Sequence, residues 1–390
     1  ITIRDGFSME SGGGCIYNPN PTSTTFEINN CIFLNCTSKS NGGALLLNGA
    51  ADVIIQNTVF SSCSAKSGGA ISVDSSTAGF TGVTFENNHA SEYGGGINAM
   101  SVTSGCALTF NRVTSQNNIA GIGGGGVSAK SAVIKMQDVT VFNDMVLGGG
   151  EMGGGFLLLE SSSFTFVSST VTQTKALAGA GGGGGAAILA TGSNLDITDV
   201  VVTGTESEKG AVLLILSKIE IKHSVFANNA AAGDARKDIF GGALCLTVKS
   251  IGTVFATNFT SNSAASAGGA IFASNSILDI QSSLFLENIA GRGGSISIIG
   301  SKPKNIKFKA IQFIGNTATT GGGGAIYWEG DEPLIERGNQ SWGNQSWGNR
   351  AKYGNFVASA AKLIKHMPPP QKIKITNTKP FAPTMVLLDF

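Results

Sequence analysis

Residues 67–73, Ser-Gly-Gly-Ala-Ile-Ser-Val, set two glycines and an alanine directly before a strand-like run. Glycines in that place either bring backbone amides close to a phosphate or let the chain turn a corner. A phosphate site needs one such stretch; a corner can need many. Here the pattern of glycine, small residue and aliphatic recurs as GGGCIY, GGALLL, GGAISV, GGGINA, GGGVSA, GGGFLL, GGAAIL, KGAVLL, GGALCL, GGAIFA, GGSISI and GGAIYW. These twelve copies lie between Cys15 and Ala325, 24–32 residues apart. Self-similarity at such a period marks a repeat architecture.

A second motif lies between the glycine pairs. A Phe precedes an Asn by three residues at Phe85/Asn88, Phe226/Asn229, Phe259/Asn262, Phe285/Asn288 and Phe313/Asn316. Phe33 and Phe60 are followed at the same offset by Cys36 and Cys63. In the middle of the chain the motif decays: Ser115 stands for Phe ahead of Asn118, and Phe142 is followed by Met145. SWGNRAKYG reads as one further copy that keeps Asn349. The intervening segments, such as DVIIQNTVF, NLDITDVVVT and SILDIQSSLF, alternate as strands do. No proline lies between Pro21 and Pro303, as stacked central strands require.

Two or three short strands per repeat predict an all-β, right-handed, pectin-lyase-like parallel β-helix of about twelve rungs. At about 4.8 Å per rung the rod is roughly 58 Å long. Its interior is a set of ladders. Phe33, Phe60, Phe85, Phe226, Phe259, Phe285 and Phe313 stack along one wall, and the aliphatics after Gly-Gly stack along another. Asn88, Asn229, Asn262, Asn288 and Asn316 mark a corner, where the side-chain amide bonds backbone freed by the bend. In SGGAISV, Gly68 and Gly69 turn that rung's next corner and Ala70 fits its inside.

The two motifs together resemble the chlamydial polymorphic outer-membrane protein repeat, over residues 12 to about 330. That resemblance implies β-helical surface passengers that act as adhesins. The end of the chain, NRAKYGNFVAS through VLLDF, is more similar to the repeat-bearing surface proteins of ciliates and other protists than to a translocator barrel. The resemblance therefore implies a eukaryotic extracellular relative rather than a bacterial autotransporter.

Composition fits a built object. Glycine is 55 of 390 residues, about twice its usual share of about 7%, without the three-residue period of collagen. Hydrophobic residues make up 42% and charged residues 13%, enough for a core and suited to a secreted or surface protein. Net charge is +1 but uneven: residues 1–336 carry 24 acidic and 18 basic side chains, and residues 337–390 eight basic and one acidic. We therefore divide the chain into repeats at 1–336 and a basic rung and tail at 337–390. Such a basic end suits an acidic partner, or the acidic body of another copy. The opening residues already read as repeat, which predicts a processed product or a piece of a longer chain.

Candidate chemistry is thin. GIGGGG at 121–126 fits a dinucleotide pattern in form, yet it opens a strand as its sister copies do. The nearest acidic groupings, Asp196/Asp199, Glu206/Glu208 and Asp234/Asp238, show no stacked register, and His89, His223 and His366 read as corner or surface residues. No metal, cofactor or nucleic-acid motif is read, and no apolar run spans a bilayer. Cys36 and Cys63 share a repeat position on consecutive rungs, so they are expected either to form a rung-to-rung disulfide or to remain two stacked thiols. Asn35, Asn258, Asn339 and Asn344 head N-glycosylation sequons. The function expected is a non-enzymatic extracellular or cell-surface rod, structural or adhesive. It assembles head to tail, with glycans or cell-surface proteins as further partners. The alternative is a diverged carbohydrate-active enzyme.

Overall fold

One turn of the chain defines the architecture. Val59–Ser61 and Ser64–Ala65 are short strands, and after the Gly68-Gly69 corner come Ile71–Asp74 and Thr77–Thr81. The next strand, Thr84–Glu86, then lies parallel on the first, with Val59 against Thr84 and Phe60 against Phe85. Repetition of this turn builds a right-handed parallel β-helix with four walls. We call them the Phe wall (as in Val59–Ser61), the short wall (Ser64–Ala65), the aliphatic wall (Ile71–Asp74) and the long wall (Thr77–Thr81). The walls have thirteen, twelve, thirteen and twelve strands, matching the expected stack of about twelve rungs. The structure is a computed structural model and describes residues 1–10, 12–18, 25–49, 52–101, 105–148, 153–176, 184–232, 239–302, 305–335 and 345–359.

Each rung carries four strands, where two or three were expected. The fourth wall escapes sequence reading because it is only two residues wide in most rungs, too short to show an alternation. Gln345–Trp347 and Val357–Ser359 continue two walls past residue 336, while 360–390 of the basic segment lie outside the described residues. Among the described residues no helix is long and apolar enough to cross a membrane.

The interior is made of side chains in register. Phe33, Phe60 and Phe85 stack with ring centroids 4.8 and 5.3 Å apart, and Phe226, Phe259, Phe285 and Phe313 stack at 5.4, 4.9 and 5.1 Å. These spacings are those of the strands themselves, so the rings lie offset and nearly parallel, an arrangement that favours aromatic pairs. Ile71 and Val73 close the aliphatic wall, and Phe80 stacks on Phe110 along the long wall at 4.8 Å. Gly68 has φ +66°, and a Cβ on Gly69 would strike the carbonyl of Gly95 in the next rung. The stretch that opened the sequence reading is a corner in which one glycine supplies the backbone conformation and the other the clearance.

The aliphatic wall is buried on its outward side too. Leu157, Leu189, Leu213, Cys245 and Phe272 form an outer column, and Tyr93 and Phe240 pack over it. Phe240 stacks on Phe272 at 4.1 Å. This second, smaller core explains why these strands read as continuous apolar runs rather than alternating ones.

Candidate functional site

The corner between the Phe wall and the short wall holds a run of buried asparagines and one buried aspartate. Each turn there follows one recipe: an inward residue, an outward residue, a residue at positive φ, then a buried one. In Phe85-Glu86-Asn87-Asn88, Asn87 has φ +56° and Asn88 is fully buried. Asn is one of the few side chains that tolerate the left-handed region, which accounts for the doubled Asn.

The buried asparagines bond to one another along the rod. Asn262 Nδ2 donates to the carbonyl of Phe226 at 2.9 Å and to Asn288 Oδ1 at 3.1 Å. Asn262 Oδ1 in turn accepts the backbone N–H of Asn229 at 3.1 Å and its Nδ2 at 3.0 Å. The same set repeats at Asn288 and Asn316, and Asn349 ends the run, donating to the Phe313 carbonyl at 3.0 Å and to Ser346 Oγ at 2.7 Å. It also repeats at Asn88 and Asn118. Every amide hydrogen and oxygen is used, so a polar side chain sits in the core without an unpaired group.

Where the motif decays, the register corrects the sequence reading. Val141, not Phe142, pairs with Ser115 on the Phe wall, and Phe142 points outward at 39% exposure. The corner position therefore belongs to Asp144 rather than Met145. Asp144 is completely buried and accepts the Asn118 N–H at 2.7 Å, Asn118 Nδ2 at 3.0 Å and the Ser115 hydroxyl at 2.5 Å. Burial pushes its carboxyl up to about 7 against the lowering effect of those hydrogen bonds. In the next two rungs the position is taken by Thr174 and Thr205. The residue was missed because the chain offers a Phe one place out of frame.

Two further corners carry hydroxyl ladders that the sequence reading also passed over. Between the aliphatic and long walls, the Ser193 N–H donates to Ser217 Oγ at 3.1 Å and the Ser276 N–H to Ser301 Oγ at 3.1 Å. Between the long and Phe walls, the Val200 N–H donates to Ser224 Oγ at 3.1 Å and the Thr257 N–H to Ser283 Oγ at 3.2 Å. The signal is a Ser or Thr just ahead of each strand, which turns of every kind also favour.

The expected disulfide is corrected. Cys36 bonds Cys15, with Cα atoms 5.6 Å apart, and Cys63 is a buried free thiol. Cys36 and Cys63 do occupy the same corner on consecutive rungs, but Cys15 stands at the small position after Gly-Gly, level with Ala44 and Ala70. That position faces the corner of the following rung, just as a Cβ on Gly126 would meet the Asp144 carboxyl at 2.6 Å. A cysteine there points at Cys36, whereas cysteines on one ladder point side by side. The Cys63 thiol is pushed up to about 11 by burial, which suppresses its thiolate.

The remaining predicted positions are scattered. Asn35 and Asn258 are exposed, Asn258 on the Phe wall beside inward Phe259; Asn339 and Asn344 lie outside the described residues. His89 and His223 are exposed, and His366 lies outside the described residues. Asp196 sits outward on the long wall and Asp199 at the bend after it, while Glu206 is on the short wall, 3.4 Å from Lys175. Glu208 is buried in the connection that follows, and Asp234 and Asp238 lie outside the described residues. A groove of about 720 Å³ on the long wall gathers Asp279, Lys307, Lys309 and Glu332, which sequence spacing had not linked. Among the described residues no group of three or more His, Cys, Asp or Glu could hold a metal ion.

From Thr114 to Ile314 the outward side of the Phe wall is uncharged. From Thr114 to Gln312 one column reads Thr140, Thr170, Val201, Val225, Asn258 and Leu284 between those ends. The parallel column from Gln116 to Ile314 reads Phe142, Thr172, Thr203, Ala227, Thr260 and Leu286. Neither column contains a charge, whereas the long wall turns Lys135, Asp196, Glu220, Asp279 and Lys307 outward.

Comparison with known proteins agrees with this geometry. No curated protein matches the chain. Residues 15–202 match the family model described as a right handed beta helix region. Residues 256–274 and 310–327 match the Chlamydia polymorphic membrane protein repeat, each across a Gly-Gly-Ala corner or the Phe-x-x-Asn turn before it. The chain is thus a right-handed parallel β-helix, with two segments in its C-terminal half that match the polymorphic membrane protein repeat.

Proposed function

We propose that the protein is an extracellular or cell-surface rod that works by contact rather than by catalysis, as a structural or adhesive element. The observation that carries this reading is the division of labour within each rung. The repeated residues all point inward, and one wall presents two uncharged columns over eight successive rungs. Uncharged, β-branched side chains in register form a surface suited to sheet-to-sheet packing or to a repetitive partner such as a glycan array. Head-to-tail assembly is supported by the charge difference between residues 1–336 and 337–390. Asn258 and Asn35 are proposed as glycosylation sites, and a glycan on Asn258 would stand in the middle of the contact wall.

The test is to place charges on that wall. A Thr170→Lys, Val201→Lys double variant should keep the β-sheet spectrum and lose self-association or surface binding, measured by sedimentation velocity and cell adhesion. Unchanged assembly and adhesion in a folded variant would remove the Phe wall from the account. A second reading, a carbohydrate-active enzyme, is favoured by the groove that holds Asp279 and Glu332 among lysines. Cleavage in a polysaccharide screen that disappears in Asp279→Asn would establish it.

A further inference from the structure

Both corner ladders break in the same part of the rod. On the Phe wall the aromatic stack ends at Phe85 and resumes at Phe226, with Ser115, Val141, Val171 and Val202 between. At the corner, the asparagine run ends at Asn118 and resumes at Asn229, with Asp144, Thr174 and Thr205 between. The ring stack and the amide ladder are therefore both interrupted here, and the one carboxyl at this corner among the described residues sits inside the break.

Three observations show that this corner is incompletely satisfied. Asparagine at position 144 would pass an amide hydrogen on to the next rung, as Asn88 does to Asn118; a carboxylate has none to pass. The hydroxyl of Thr174, the next ladder member, is buried without a partner. Among the described residues no counter-charge faces the carboxyl. The strands packed around it run over 114–116, 119–120, 127–130, 140–142, 145–146, 170–172 and 175–176, and their charged side chains are Lys130 and Lys175. Both are partly exposed on the outward side, paired with Glu160 at 2.8 Å and Glu206 at 3.4 Å.

We propose that the rung of Asp144 is a proton-operated joint in the rod. With the carboxyl protonated, the corner is closed like its asparagine sisters. With the carboxyl ionised, a buried charge without a counter-ion faces a rung that gives the carboxylate itself no hydrogen bond, and the contact with the Thr174 rung opens. The sign follows from burial. The folded carboxyl titrates at about 7 and the exposed one near 3.8, so between these values the closed state holds a proton that the open state has released. Opening therefore becomes easier as pH rises through that window and levels off above it.

The experiment is hydrogen–deuterium exchange of the whole chain at about pH 5.5 and about pH 8.5, normalised to the intrinsic rate of each amide. Opening of segments 140–146 and 170–176 should increase about thirtyfold at the higher pH, while segments 259–262 and 285–288 change little. Asp144→Asn should abolish the difference. An equal pH response in Asp144→Asn, or a uniform response along the rod, would overturn the proposal. Should that variant fail to fold, carbon-13 NMR of aspartate-labelled wild-type protein decides. One carboxyl titrating near neutrality supports the joint, and every carboxyl titrating in the ordinary acidic range refutes it.

Discussion

Replacing Asn262 by leucine tests the corner ladder where it is most complete. Leucine has the same number and branching of side-chain heavy atoms and excludes water, so the substitution leaves no cavity and its main loss is hydrogen bonding. Four bonds of 2.9–3.1 Å disappear. The backbone N–H of Asn229 and one of its side-chain amide hydrogens are left buried without an acceptor, at about 1–3 kcal/mol each. The Phe226 carbonyl also loses a donor. We expect Asn262→Leu to cost about 4 kcal/mol in guanidinium unfolding followed by far-ultraviolet circular dichroism. Asn258→Ala, on the outward side of the same strand, should stay within about 0.5 kcal/mol of wild type. Asn262→Asp adds a sharper comparison: it keeps the acceptor toward Asn229 but turns a second oxygen on the Phe226 carbonyl, so it should resemble wild type in acid and weaken toward neutral pH. If Asn262→Leu lies within about 1 kcal/mol of wild type, the side-chain ladder is not what holds the corner.

Three further outcomes follow from the same geometry. Gly69→Ala should destabilise its turn by about 1–3 kcal/mol or prevent folding, since its Cβ meets the Gly95 carbonyl; Gly79→Ala, where the nearest atom is 3.9 Å away, should be tolerated. Phe259→Ala should cost about 3–5 kcal/mol and Phe142→Ala almost nothing, which checks the register assigned to the decayed repeat by thermal unfolding. A non-reducing peptide map should recover Cys36 joined to Cys15, and Cys15→Ser should lower the stability of the first two rungs by about 3 kcal/mol; recovery of Cys36 joined to Cys63 contradicts this.

The interior was legible in the sequence because a solenoid writes its core repeatedly. Phe259 or Ala70 alone says little, but either repeated at a fixed offset specifies a wall. The features that stayed hidden are those without repetition or with a common alternative meaning. The short wall is two residues wide and shows no period. The serines at two corners resemble serines at any turn. Asp144 lay behind Phe142, whose aromatic ring suggested an inward position that Val141 fills instead. For the cysteines, repeat position predicted which residues stack but not which way their side chains point. Cys15 reaches Cys36 because the small position after Gly-Gly faces the next rung's corner. The uncharged face was equally unreadable, since its two columns emerge only when residues about thirty apart are placed in register.

The most direct test of the account lies in its doubled asparagines. Asn87 and Asn88 are neighbours in sequence, as are Asn117 and Asn118, and Asn228 and Asn229. In each pair the first residue takes positive φ and the second is buried in the ladder. Side-chain amide exchange measured by NMR on asparagine-labelled protein separates them in one sample. The account predicts slow exchange for Asn88, Asn118 and Asn229 and fast exchange for exposed Asn87 and Asn228. Equal and rapid exchange within the pairs would contradict it.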